Sequence, residues 1–272
     1  MHGVLEHPES PSPSRPPGSR IPPAPSSSGD RPQATPPRVD AVLFDFHGTL
    51  AQVEDPVTWV LAAAAECGAT LDRVRATVLA DRLVTAGRAG GPLPARIPPH
   101  LAEVWAERDL DERAHRAAYT GLAATVDTGI DGLPEALYER LLRPEGWLLY
   151  PETADTLRAL RAAGVRTAVV SNIGFDIRPL FAAWQLDELV DAFVLSYEVG
   201  RCKPDPAIFM RACGTLGVDP ERALMVGDTP ADAGAVRIGC RALVLPAADP
   251  GKPNGLGAVL DLVGIARGGD SG

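Results

Sequence analysis

Lysine is nearly absent from this chain. Of its 26 basic residues, all but Lys203 and Lys252 are arginine. Cysteine is sparse too: Cys67, Cys202, Cys213 and Cys240 are the only ones in 272 residues. No two of them have the short spacing of a zinc-ligand pair, and a chain of this length buries enough core to do without disulfide staples. A reduced, cytoplasmic compartment is therefore the expectation. Long apolar runs are missing. The run at 60–65 falls far short of the ~20 residues that cross a bilayer, so no membrane partner is expected. The first ten residues carry Glu and Pro and no apolar segment, which argues against a secretory signal. Surplus positive charge is missing as well. The formal net charge is −9, and this excludes a general nucleic-acid partner, because phosphate backbones recruit basic surfaces.

Ala, Gly, Pro and Arg are abundant instead. The preference for Arg over Lys reads as a coding bias. Against it Lys203 is conspicuous, since the two cations do different jobs at a site.

Residues 1–38 are dominated by Pro, Ser, Gly and Arg. Such a segment has almost nothing to bury, so ordering it would cost entropy without return, and a disordered tail is expected. A Pro-rich docking segment is the alternative. Folded structure is expected from Val39. The apolar run 39–44 ends at Asp45 and reads as a buried strand. From Pro56 to Arg143 apolar residues recur at spacings of three and four. This predicts helices at about 56–67, 70–87, 99–108, 110–126 and 134–143, with a Gly/Pro-rich break at 87–99 and no strand.

Beyond Pro151 helices and strands alternate. Helices are predicted at 152–163, 177–185, 206–216, 231–238 and 256–266, and strands at 166–170, 192–195, 223–226 and 242–245. Alternation of this kind implies parallel strands joined by helical crossovers. The fold class is thus α/β: a three-layer, Rossmann-like parallel-sheet core, 39–52 with 148–272, carrying an inserted all-helical cap, 53–147. Ligands of such sheets bind at the carboxyl ends of the strands. The polar residues expected there are Asp45, Ser171 with Asn172, the segment 196–203, and Asp228.

Four segments carry those residues: Asp45-Phe46-His47-Gly48-Thr49-Leu50, Val169-Val170-Ser171-Asn172, Gly200-Arg201-Cys202-Lys203-Pro204-Asp205-Pro206 and Val226-Gly227-Asp228-Thr229-Pro230-Ala231-Asp232. Together and in this order they resemble the four motifs of the haloacid dehalogenase superfamily, over residues 39 to about 247. The helical insert resembles the cap of its dehalogenase and phosphoglucomutase-like branch. The resemblance implies a hydrolase in which Asp45 attacks and forms a covalent aspartyl intermediate, chemistry open to a carboxylate. It implies Mg²⁺ as cofactor, which offsets the repulsion between a phosphate and Asp45 and takes oxygen ligands. Those ligands would be Asp45, the backbone carbonyl of His47, and Asp228, with Asp232 as a further ligand or a support. Ser171 and the backbone around Asn172 would bind the phosphoryl oxygens, and Lys203 would serve both Asp45 and the phosphate. The implied partner is a small phosphorylated metabolite.

Plainer readings stand beside these. Asp228 could cap a helix, Ser171-Asn172 could be a turn, and Lys203 could lie solvated at the surface. Cys202 reads as an ordinary thiol. Trp59, Trp105, Trp147 and Trp184 read as packing residues, and His100 and His115 as surface residues.

His47 departs from the family pattern, which places a second aspartate there to protonate the leaving oxygen and later activate water. Three readings follow. His47 could take over this acid/base role, since imidazole titrates near neutrality. The role could be lost, leaving a weak enzyme or a phosphate-binding, regulatory protein. Or the chemistry could differ, as in dehalogenases or phosphonatases, which also lack that aspartate; the dehalogenases use no metal, and Asp228 and Asp232 argue against that version. The first is the working expectation. Substrate identity and oligomeric state are not legible.

Overall fold

Short runs with nothing polar inside, such as Ala41-Val42-Leu43-Phe44, suit strands covered on both faces. The computed structural model describes residues 38–246, 248–249 and 251–266. The expected tail lies outside them, apart from Arg38. In chain order, β1 (Ala41–Phe44) and β2 (Ala51–Val53) lead into helices α1 (Pro56–Glu66), α2 (Arg73–Ala86), α3 (Ala102–Glu107), α4 (Glu112–Ala124) and α5 (Leu133–Leu141). Then follow β3 (Trp147–Leu149), α6 (Thr153–Ala162), β4 (Arg166–Ser171), α7 (Arg178–Ala183), β5 (Ala192–Leu195), α8 (Ser196–Val199), α9 (Pro206–Leu216), β6 (Ala223–Gly227), β7 (Arg241–Val244) and α10 (Ala258–Leu262).

Five strands form one parallel sheet in the order β5-β4-β1-β6-β7. Alternate residues of each strand point to opposite faces, and they sort the core into two clusters. Val42, Phe44, Val169, Leu224 and Val226 pack with α6, α7 and α10. Ala41, Leu43, Ala168, Val170 and Met225 pack with Ile208, Phe209 and Leu216 of α9. Helix, sheet and helix are therefore the three layers. The chain runs from β1 to β4 and β5 on one side and to β6 and β7 on the other. The carboxyl end of β1 is consequently the topological switch point, where an open α/β sheet leaves a crevice.

Local chemistry explains several boundaries. Asp55 caps α1 by accepting from the N–H groups of Val57 and Thr58, with Pro56 opening the helix. Asp205 and Pro206 do the same for α9, which ends on Gly217 in the left-handed region, φ +64°. The segment expected as a helix at 231–238 is a three-ten helix, Asp232–Ile238. The helix expected at 256–266 is shortened to α10, and Gly264 at φ +77° lies just beyond it.

The two crossings between sheet and helical segment pair with each other. Ala51 faces Leu149 and Val53 faces Trp147 in the antiparallel β2–β3 ladder, strands too short to show a period in the sequence. α1, α2 and α5 share a separate apolar cluster built on Trp59, Val60, Leu79, Leu83, Leu133 and Leu137. The segment also touches the core. The Ser196 hydroxyl donates to the Asp109 carbonyl and accepts from the Ile173 N–H at 2.8 Å.

His115 corrects a sequence expectation. It is buried at 3% exposure, whereas His100 is exposed as expected. His115 shares one face of α4 with Ala118 and Leu122, and its Nδ1 lies 2.7 Å from the Tyr138 hydroxyl. Helical position, not residue type, decided its burial. Among the described residues no helix is long and apolar enough to cross a membrane.

Candidate active site

The switch point gathers residues from all four sequence segments. Asp45 follows β1 and is 8% exposed. Its N–H donates to the Val226 carbonyl at 2.8 Å, which extends the β1–β6 ladder by one rung. Asp45 Oδ1 accepts from the Phe46 N–H at 2.7 Å and pairs with Lys203 Nζ at 2.8 Å. Lys203 Nζ also donates to Asp232 Oδ1 at 2.6 Å. The other oxygen of Asp232 accepts from the Thr229 N–H and hydroxyl, at 3.0 and 2.7 Å. Asp232 thus braces Lys203.

Lys203 is held from its own backbone. The Lys203 N–H donates to Asn172 Oδ1 at 2.7 Å, and Asn172 Nδ2 donates to the Lys203 carbonyl at 3.0 Å. The Asn172 side chain is therefore spent on positioning Lys203. Ser171, 2% exposed, closes β4 at the same edge. The site thus brings together Asp45, Ser171, Asn172, Lys203, Asp228 and Asp232, and His47 lies two residues along from Asp45.

Electrostatics follow from burial. Burial pushes the Asp45 carboxyl above its ordinary range; Lys203 opposes this and Asp232 adds to it. Burial works against the charge of Lys203, but Asp45 and Asp232 outweigh it and raise its pKa, so the ammonium is kept. Asp228 is pushed up to about 7, first by burial and then by the charges of Asp45 and Asp232. His47 is pulled down to about 4 by burial, with the Arg88 charge second, so its imidazole is neutral at pH 7.

Three buried polar atoms have no hydrogen-bond partner among the described residues: His47 Nε2, Thr49 Oγ1 and Asp228 Oδ1. A buried polar atom without a partner costs about 1–3 kcal/mol, so their clustering in and beside one turn points to a ligand. Single carboxylate oxygens of Asp45, Asp228 and Asp232 lie within 4.8 Å of one another. That all-oxygen, anionic set fits a hard divalent cation. Gly48, at φ +83°, makes the approach possible, because a Cβ there would overlap the Asp228 carboxylate.

Sequence reasoning did not single out three neighbours of this site. Thr229, inside the fourth segment, fixes Asp232. Glu54 pairs with Arg140, with a 2.8 Å bond from Nη2 to Oε2. Arg88 lies over Trp59, 4.4 Å from the ring centre. Only Thr229 had a signal, its place next to Asp228.

A model of the family described as haloacid dehalogenase-like hydrolase matches residues 39–237. The (S)-2-haloacid dehalogenase 4A of Burkholderia cepacia is 36% identical over 87 residues, 31% of this chain and 37% of that protein. A phosphoglycolate phosphatase of Nitrosospira multiformis is 29% identical over 148 residues, 53% of this chain and 65% of that protein. The chain thus spans less than two thirds of the length of these relatives. The crystal structure of a HAD phosphatase from Thermococcus onnurineus aligns with TM-score 0.52 and 23% identity, over 84% of this chain and 100% of that one, a likeness of fold. With a match that runs from just ahead of β1 to just short of β7, this chain belongs to the haloacid dehalogenase-like hydrolases.

Proposed function

We propose that the chain hydrolyses the phosphomonoester of a small metabolite, with Asp45 as nucleophile. One observation carries the reading: a buried aspartate held by Lys203 stands beside a second, Asp228, whose Oδ1 lacks a partner among the described residues. An unpartnered carboxylate oxygen beside the nucleophile suits a hard divalent cation. Magnesium, held by Asp45, Asp228 and the His47 carbonyl, would offset the repulsion between the phosphate and the carboxylates.

The rest belongs to the chain. Lys203, kept charged between two carboxylates, orients Asp45 through Oδ1 and leaves Oδ2 to attack phosphorus. Ser171 donates its hydroxyl to a phosphoryl oxygen. The bond from phosphorus to the leaving oxygen breaks, that oxygen takes its proton from solvent water, and an aspartyl phosphate remains on Asp45. Water then attacks its phosphorus, giving up a proton as phosphate leaves and Asp45 is restored. An imidazole kept neutral by burial can accept the proton that the attacking water releases, which suits His47 to this second step.

A second reading, carbon–halogen hydrolysis, is favoured by His47 standing where a phosphatase has aspartate and by the dehalogenase relative. One experiment separates the two. Phosphate release from a panel of phosphorylated metabolites is measured with Mg²⁺ and with EDTA, for the wild type, Asp45→Asn and His47→Asn. The expected result is turnover that EDTA and Asp45→Asn both abolish and that His47→Asn lowers by about 10²-fold, the scale of a general base. Turnover that survives Asp45→Asn would refute the nucleophile. Full activity in His47→Asn would remove that residue from the mechanism. A panel with no turnover but retained vanadate binding would favour a phosphate-binding, regulatory protein. EDTA-insensitive halide release from a 2-haloacid would favour the second reading.

A further inference from the structure

The turn that carries Gly48 is pinned from the far end of the sequence. Asn254 is 5% exposed. Its Nδ2 donates to the Thr49 carbonyl at 2.9 Å, across 205 residues. Its Oδ1 accepts from the Leu256 N–H at 3.3 Å, which fixes the amide with its donor towards Thr49. The stretch is anchored close to that contact. The carboxylate of Glu152, just ahead of α6, accepts from the N–H groups of Asn254, Gly255 and Gly257, each at 3.1 Å. Leu256, Val259 and Leu260 are buried in the main core. Asn254 lies beyond residue 237, where the match to the family model ends.

The bonds within the turn show what this contact adds. The Phe46 carbonyl accepts from the N–H groups of Leu50 and Ala51, at 2.9 and 3.1 Å, and the Ala51 carbonyl accepts from that of Gly48 at 2.9 Å. The Leu50 carbonyl accepts from the Tyr150 N–H at 3.1 Å and from the Thr153 hydroxyl at 2.7 Å. Asn254 holds the Thr49 carbonyl. Among the described residues no hydrogen bond falls on the carbonyl of His47. Nor does the Thr49 side chain help to fix the turn, since its buried Oγ1 has no partner among the described residues. Gly48 lies against Asp228, whose carboxylate a Cβ would overlap. Any shift of this turn therefore moves the His47 carbonyl relative to Asp228.

We propose that Asn254 is a positioning residue: by holding the Thr49 carbonyl it sets the His47 carbonyl against Asp228, and with it the affinity for the divalent cation. The inference rests on the cation-dependent phosphomonoesterase reading. Groups that orient metal ligands are worth about 10- to 100-fold in affinity. Asn254 acts two residues away from His47, so the lower end of that range applies.

The test measures Mn²⁺ binding without turnover, from the electron paramagnetic resonance signal of the free ion. Asp228→Asn should abolish the binding, which assigns the ion to this site; binding that survives would overturn the proposal. Asn254→Asp keeps nearly the shape of the side chain but offers the Thr49 carbonyl no donor. In Asn254→Asp and Asn254→Ala the Kd for Mn²⁺ should rise about 10-fold. Glu152→Gln, with one acceptor oxygen where the carboxylate has two, should raise it about threefold. The Mg²⁺ concentration for half-maximal phosphate release should rise in the same order. Urea unfolding of the same variants separates the roles. A merely structural Asn254 would lower stability and leave the Kd of the folded protein unchanged, which would overturn the proposal. Should both Asn254 variants fail to fold, an unchanged Kd in Glu152→Gln would overturn it instead. A wild type that binds no Mn²⁺ would overturn it together with the cation. Binding that weakens in the variants, with no phosphate ester turned over, would support the role of Asn254 and refute the phosphatase reading alone.

Discussion

Lowering the pH should unfasten the seam between α4 and the loop after β4, and His115 is the reason. Its ring centre is 4.8 Å from that of Tyr119 and 5.4 Å from that of Phe175. Gly174 admits this packing, since a Cβ on it would come within 2.5 Å of His115 Cβ. Burial, and secondarily the charge of Arg108, lowers the pKa of His115 to about 3. In the unfolded chain a histidine titrates near 6.5, by reference values of about that size. Between these two values the unfolded chain binds a proton that the folded chain excludes. The contribution of His115 is therefore fully present above about pH 6.5 and is lost as the pH falls towards 3. At pH 5 about 1.5 pH units of that gap are open, worth about 2 kcal/mol. For a domain of this size that is about 4–8 °C in Tm. The assay is thermal and urea unfolding of the wild type and His115→Gln at pH 7.5 and pH 5. Glutamine can still bond Tyr138 but carries no charge. Carboxylates common to both chains cancel, so the wild type should lose about 2 kcal/mol more than the variant over that interval. Equal losses would refute the reasoning.

Other consequences concern the site and its neighbours. Gly48→Ala puts a Cβ into the Asp228 carboxylate at φ +83°; phosphate release should fall by at least about 10²-fold while far-ultraviolet circular dichroism is retained, the scale expected from misplacing a reacting group. Arg140→Met leaves Glu54, with a side chain 5% exposed, as a buried charge without its partner. The loss should be about 3–5 kcal/mol in urea unfolding, and adding Glu54→Gln should recover part of it.

Much of the sheet was legible in the sequence. β1, β4 and β6 are apolar runs that stop at a polar residue, and a run of that kind has one stable destination in an α/β chain, the centre of a parallel sheet. The polar residue after each run then falls at the carboxyl edge. β2 and β3 were not legible. Three residues hold no period, and each is a strand only because the other lies beside it. His115 was legible and was misread: its spacing from Ala118 and Leu122 places it on the buried stripe of α4.

The candidate site divides in the same way. Asp45, Ser171, Lys203, Asp228 and Asp232 stand out by residue type and by order along the chain. Their relations do not. Asn172 holds the backbone of Lys203, and Asp232 gives one oxygen to Lys203 and the other to Thr229. Such bonds join segments up to 31 residues apart, and no local preference encodes them. Nor could the surroundings of His47 and Arg88 be read in advance. Burial lowers the pKa of both, but burial is a property of the assembled molecule. The sequence by itself determined which residues meet at the switch point, because hydrophobic periodicity sets strands and their ends. Tertiary structure decided which oxygens stay unpaired and which imidazole is neutral, because desolvation and pairing depend on neighbours distant in the chain.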